Sequence, residues 1–148
     1  MEIRVMESDD AEAVNTLVTE LGYHQTTADV LKWIESLRHD GRAQAAFVAC
    51  EDAGVIGWVE ISIEHRLQSP PFALIGGLVV KEGVRSRGVG RKLCERAETW
   101  AWEHGMETVR VTSRSTREDA HRFYLRDGYK QTKTSLVFEK IREKHGTQ

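Results

Sequence analysis

Apolar residues recur along this chain at two periods, and each change of period marks an element boundary. Glu2–Met6 reads as a short first strand. Ala11, Val14, Leu17, Val18 and Leu21 then fall on one helical stripe, with Ser8 or Asp9 as its N-cap and Gly22 as its stop. Val30, Leu31, Trp33, Ile34 and Leu37 mark a second amphipathic helix over Ala28–Leu37. Ala45–Cys50 and Val55–Ile63 read as strands joined by the turn Glu51-Asp52-Ala53-Gly54. The stretch Glu64–Phe72, with Pro70-Pro71, reads as a loop before the buried strand Ala73–Val80.

After a glycine-rich turn, Leu93, Ala97, Trp100 and Ala101 return at helical spacing. Thr108-Val109-Arg110-Val111-Thr112 alternates as a strand does. Ala120, Phe123 and Tyr124 share one face of a last helix that Gly128 closes. Lys130–Thr134 and Ser135–Ile141 read as final strands. The fold class is α/β (α+β): a mixed central sheet flanked by helices, in a single domain over residues 1–148.

Composition narrows the class without naming a chemistry. A chain of 148 residues, 40% of them hydrophobic, carries enough material for one core. It has no apolar run near the ~20 residues that span a bilayer, and Met1–Met6 lacks a signal-peptide pattern. Cys50 and Cys94 stand alone, which disfavours a disulfide or metal framework. The expectation is a cytoplasmic protein with no membrane or metal partner.

The net charge of −2 conceals an asymmetry. Residues 1–70 hold 13 acidic against 5 basic side chains, net −8, whereas residues 71–148 hold 10 against 16, net +6. The basic half suits a polyanionic ligand, and the acidic half suits a cationic one. Arg114, Arg117, Arg122 and Arg126 do not make a nucleic-acid site, because no aromatic stripe accompanies them.

Candidate chemistry concentrates in Lys81–Gly90. A buried strand that feeds Gly83, Gly88 and Gly90 into a helix N-terminus builds an anion site from orphan N–H groups and the helix dipole. Arg85 and Arg87 add charge that forks onto phosphate oxygens. Neither the P-loop nor the Rossmann glycine pattern is present, since Gly88-Val89-Gly90 runs on into Arg91-Lys92-Leu93.

The pattern Arg85-x-x-Gly88-x-Gly90 after an apolar strand resembles the acyl-CoA pyrophosphate loop of the GNAT superfamily of N-acetyltransferases. Ala120-His121-Arg122-Phe123-Tyr124 and Gly128-Tyr129 resemble the C-terminal half of the same superfamily. The resemblance implies a GNAT-like fold and acetyl-CoA as co-substrate, with an acetyl group passing to a primary amine by direct attack in a ternary complex. It implies that Leu78, Val79 and Val80 meet the pantetheine, and that Arg85, Ser86, Arg87, Gly88, Val89 and Gly90 hold the pyrophosphate. The Leu78 N–H is then the oxyanion donor and Tyr124 the general acid.

Gly76-Gly77 inside a strand indicates a bulge or a close backbone approach, where relatives splay two strands apart. No carboxylate or histidine lies on Ala73–Val80, so the base falls to Glu60, or to Glu64 or His65 acting through water. Alternation puts Glu60 and Ser62 opposite Val59, Ile61 and Ile63, with either the cleft or solvent in front of Glu60. Relatives carry asparagine where this chain has Arg117, which then reaches a CoA phosphate or pairs with Asp119. The acceptor reads as a small cationic amine, and a homodimer follows by analogy. Two other readings remain: a protein or peptide acceptor, and a non-catalytic acyl-CoA-binding regulatory module.

Overall fold

Among the described residues five strands pair in chain order, β1-β2-β3-β4-β5, so each strand meets its sequence neighbour. They are β1 (Glu2–Val5), β2 (Gln44–Glu51), β3 (Gly54–Arg66), β4 (Ser69–Val80) and β5 (Val109–Val111). The first four run antiparallel, and β5 lies parallel to β4 after the crossover helix α3 (Val89–Glu103). Helices α1 (Ala11–Glu20) and α2 (Thr27–Ser36) link β1 to β2, and α4 (Glu118–Arg126) follows β5. This computed structural model describes residues 1–39, 43–52, 54–84, 87–113 and 117–143. Ala53 of the expected turn, Arg114 and the C-terminal Lys144–Gln148 lie outside the described residues. Residues 1–112 form one compact unit and residues 113–148 a second.

Period-two alternation divides the sheet into two faces with different covers. Phe47, Ala49, Val59, Ile61, Ala73 and Ile75 are all buried and lie on one face. Their helical counterparts Val89, Leu93, Cys94, Ala97 and Ala101 are buried as one stripe of α3. A Cβ on Gly57 would lie 3.0 Å from Leu93 Cδ1, so this glycine lets the helix approach the sheet. On the other face Met6, Ala46 and Val48 pack with Val14 of α1 and with Val30 and Ile34 of α2, and Trp58 lies against this cluster.

Three expectations change. Neither Ser8 nor Asp9 caps α1, because both lie in a 3-10 turn over Ser8–Asp10 that leads into the helix. The Asp10 carboxylate folds back to accept from the Glu7 N–H at 2.7 Å and from Arg4 at 2.8 and 2.9 Å. This ion pair takes over the task expected of a cap. Thr26 does cap α2, accepting from the Asp29 N–H at 3.0 Å.

Glu64–Phe72 is not a loop, since β3 runs to Arg66 and β4 starts at Ser69. The pairs Glu64↔Phe72 and Arg66↔Ser69 leave Pro70 and Pro71 opposite the single residue His65, in a bulge. A bulge on a stretch that β5 does not reach spares the ladder the missing proline N–H groups.

Lys130–Thr134 and Ser135–Ile141 form no strands. Leu136, Val137 and Phe138 are consecutive rather than alternating, and they are 78%, 90% and 87% exposed. β-propensity without a partner ladder does not make a strand. In this second unit α4 ends as expected: Gly128 takes φ 93°, and the Tyr129 N–H returns to the Tyr124 carbonyl at 3.0 Å. No helix among the described residues is long and apolar enough to cross a membrane.

Candidate active site

The β4–β5 ladder consists of Ala73↔Val109, Leu74↔Arg110 and Ile75↔Val111, and it ends there. Immediately beyond, the β3–β4 register slips: Glu60 faces Gly77 while Ile61 faces Ile75, so Gly76 is the extra residue of a bulge. Gly77 is required by what lies over it, and Gly76 is closely covered. A Cβ on Gly76 would come 3.1 Å from Glu60 Oε1, and one on Gly77 would come 2.9 Å from the Trp58 ring. The bulge expected from Gly76-Gly77 is therefore present, at the point where β4 leaves β5.

Past the bulge no described strand pairs with the outer edge of β4. Lys81 donates its N–H to the Ile56 carbonyl at 2.8 Å, so alternation turns the backbone groups of Val79 and Gly77 toward β3. Those of Leu78 and Val80 face the other way, where no described strand pairs with β4. The strand then enters the glycine turn. Val84 donates to Lys81 at 3.3 Å, Arg87 donates to Val84 at 3.2 Å, and α3 starts from Gly88 with φ 77°. That left-handed conformation suits glycine, and no side chain caps the first turn of α3. Val89 and Gly90 are buried in that turn, while Gly88 is exposed. Arg85 and Ser86 lie outside the described residues. Arg87 is exposed and ion-paired with Glu51 at 2.5 Å, so a phosphate in the turn would compete with that carboxylate.

Glu60 lies half-buried on the face that carries Trp58, not in open solvent. Burial pushes its carboxyl above the ordinary glutamate range. Its carboxylate has no hydrogen-bond or ion-pair partner among the described residues. The other two candidates for the base are differently placed. Glu64 accepts from Ser62 at 2.9 Å and from Arg66 at 3.3 Å, and His65 is exposed. Trp58 Nε1 is buried without a hydrogen-bond partner among the described residues.

The second unit holds Tyr124 on α4, half-buried and edge-on to Phe123 at 5.3 Å and to Tyr129 at 5.8 Å. Arg117 is the exposed N-cap residue of α4, and its carbonyl accepts from the His121 N–H at 3.1 Å. No group of three or more His, Cys, Asp or Glu among the described residues is arranged to hold a metal ion.

A sequence model of the acetyltransferase (GNAT) family matches residues 9–129. The chain belongs to that family. It is an N-acetyltransferase with acetyl-CoA as co-substrate. The aminoalkylphosphonate N-acetyltransferase of Salmonella typhimurium is 28% identical over 139 residues, covering 88% of this chain and 86% of that protein. The aminoglycoside N(6')-acetyltransferase type 1 of the same organism is 23% identical over 100 residues, covering 65% and 69%.

Among solved structures, an aminoglycoside 6'-N-acetyltransferase of Acinetobacter haemolyticus has TM-score 0.80 at 20% identity, covering 97% of this chain and 100% of that one. Another aminoglycoside N-acetyltransferase, solved with a bisubstrate analogue joining CoA to acetylneamine, has TM-score 0.82 at 21% identity, covering 95% and 98%. At these identities the structural likeness establishes the GNAT fold, mixed sheet and flanking helices included.

Arg110 was not singled out by the motif. The signal was present in Val109-Arg110-Val111, where a charged residue occupies the centre of a three-residue strand. It is half-buried, with its guanidinium 3.9 Å above the ring of Phe72.

Proposed function

We propose that this GNAT enzyme moves the acetyl group of acetyl-CoA directly to the primary amine of a small molecule that is cationic when free. The observation that carries the reading is the edge of β4 at Leu78, which no described strand pairs, and which starts at the Gly76-Gly77 bulge and leads into the first turn of α3. An extended pantetheine would lie along the Leu78, Val79 and Val80 backbone, and its pyrophosphate against Arg85–Gly90. The names of the relatives, an aminoalkylphosphonate and an aminoglycoside acetyltransferase, favour a small-molecule acceptor.

The chain's own groups divide the work. An amine bound as its ammonium must lose a proton before it attacks. Glu60 takes that proton, directly or through water, since burial has raised its affinity for one. The free amine then attacks the thioester carbonyl, and the Leu78 N–H stabilises the oxyanion that forms. Collapse breaks the carbon–sulfur bond, and Tyr124 protonates the departing thiolate. Arg117 reaches a CoA phosphate in this reading.

The test is thiol release from acetyl-CoA with polyamines, aminoglycosides, aminoalkyl acids and short peptides as acceptors, alongside calorimetry of CoA binding. Turnover confined to a small-molecule class is expected. Turnover with peptides alone would replace the acceptor assignment, and absence of CoA binding would remove the reading of the β4 edge and Arg85–Gly90.

A further inference from the structure

The sheet face that carries Glu60 is charged well beyond it. Side chains two apart on β3 share a face, so Glu60, Ser62, Glu64 and Arg66 form one row. Strand pairing puts Leu74 beside Ser62, Phe72 beside Glu64 and Arg110 beside Leu74 on the same face. Half of this row is internally neutralised. Ser62 donates to Glu64 at 2.9 Å, and Glu64 holds Arg66 at 3.3 Å.

Arg110 is not neutralised. Its guanidinium lies 3.9 Å above the Phe72 ring, and the Arg66 guanidinium lies 5.4 Å from the same ring. Arg110 has no carboxylate partner among the described residues. The charge of Arg66 is met by Glu64, whereas that of Arg110 meets only the Phe72 ring among the described residues, which leaves its N–H donors for an anion.

We infer that Arg110, with Arg66 beside it on Phe72, binds an oxyanion carried by the acceptor amine: a phosphonate, phosphate or carboxylate at the far end of a chain from the reacting nitrogen. The assignment rests on the acetyl-transfer reading above and specifies its acceptor. Glu60, desolvated and unpartnered, receives the ammonium end. Glu60 Oε1 lies over Gly76 and the Arg110 guanidinium over Phe72, and those two residues are four apart on β4, which is about 13 Å of strand. Between the two charged ends lie Leu74, half-buried and apolar, which suits methylenes, and Ser62 beside it, whose hydroxyl is turned to Glu64. The acceptor is thus an extended ω-amino oxyanion, a zwitterion, which keeps the primary ammonium of the reading above but replaces its net positive charge. A guanidinium grips such an oxyanion through two parallel N–H donors.

The test is calorimetric binding of 6-aminohexylphosphonate, 6-aminohexanoate, 2-aminoethylphosphonate and hexylamine to the wild-type protein and to Arg110→Gln and Arg110→Lys. Expected is a loss of about 10- to 100-fold for the six-carbon oxyanions in Arg110→Gln, with hexylamine unchanged. The short 2-aminoethylphosphonate should bind weakly and be insensitive to the change. Arg110→Lys, which keeps the charge over Phe72 but loses the fork, should show a smaller loss and serves if Arg110→Gln does not fold. Equal losses for hexylamine and the oxyanions overturn the subsite, as does a wild type that binds hexylamine as tightly as 6-aminohexylphosphonate, or one that binds neither. Thiol release from acetyl-CoA with hexylamine separates the two readings: none with any amine, beside Arg110-dependent phosphonate binding, overturns acetyl transfer and keeps the subsite.

Discussion

The ring of Trp58 occupies the space where a side chain on Gly77 would begin, with ring atoms 2.9 Å from an ideal Cβ. The two residues define each other. Gly77 gives the indole a backbone to rest on, and the indole makes any larger residue at that position a collision.

Gly77→Ala is expected to destabilise the protein by about 1–3 kcal/mol, because the Trp58 ring is wedged between the bulge and the α1–α2 cluster. The change should also weaken CoA binding by tilting the outer edge of β4. Combining it with Trp58→Leu should recover much of the thermal midpoint. A Gly77→Ala protein that melts with the wild type would refute this packing relationship.

Glu60→Gln separates stability from activity. Burial raises the Glu60 carboxyl above its value in the unfolded chain, so the native state binds the proton more readily than the unfolded state does. Ionisation therefore penalises the fold as pH rises through the window between the unfolded and folded values, and the penalty persists above it. The glutamine variant should be more stable than wild type at neutral pH and equal to it below that window. Its kcat/KM should fall by about 100-fold or more and lose its ascending acid limb. Unfolding curves and rate profiles across pH 3 to 8 check both halves.

Asp10→Asn carries the opposite sign. Arg4, through its hydrogen bonds, is the main reason the Asp10 carboxyl lies below the ordinary aspartate range, and the Glu7 N–H adds to it. The native state releases that proton more readily, so the pair stabilises the fold above the unfolded value, and the contribution disappears as pH falls through the folded one. Since Arg4 is partly exposed, the loss should be about 1–2 kcal/mol at pH 7. The gap in denaturant midpoint between variant and wild type should be full at pH 7 and shrink as the pH falls below the ordinary aspartate range.

Tyr124→Phe and Gly88→Val probe opposite ends of the reaction. Removing the Tyr124 hydroxyl should lower kcat by about 100-fold while leaving CoA affinity within a factor of two or so. Placing a β-branched side chain at Gly88 forces it into φ 77° and crowds the first turn of α3, so CoA affinity should drop instead. An unaltered kcat in Tyr124→Phe would end the acid assignment.

The sequence was most legible where a residue had one physical use. A pair of glycines within an apolar strand run serves little except a bulge, and Gly76-Gly77 makes one. The helical stripe at Leu93, Ala97, Trp100 and Ala101 has one buried outcome, and it is found on α3. Legibility failed where the outcome depended on distant partners. Ser135–Ile141 has the composition of a strand but meets no ladder. Pro70-Pro71 looked incompatible with a strand until a bulge opposite His65 accommodated it.

The same distinction holds within the site. Alternation gave Glu60 its face, yet its burial comes from packing over Gly76 and Gly77, which pattern alone does not reveal. Arg110 depended on Phe72, 38 positions earlier, for its meaning.

The outer edge of β4 has a consequence for how such an enzyme diversifies. In the acetyl-transfer reading proposed above, the donor rests on main-chain amides of β4, which every residue but proline supplies, so drift in side-chain identity there would leave its footing intact. The row from Glu60 to Arg110 is composed of side chains, each replaceable by one codon change. On that reading donor recognition is insulated from mutation while acceptor choice is exposed to it. A lineage built this way can trade one amine for another without relearning how to hold its acetyl source.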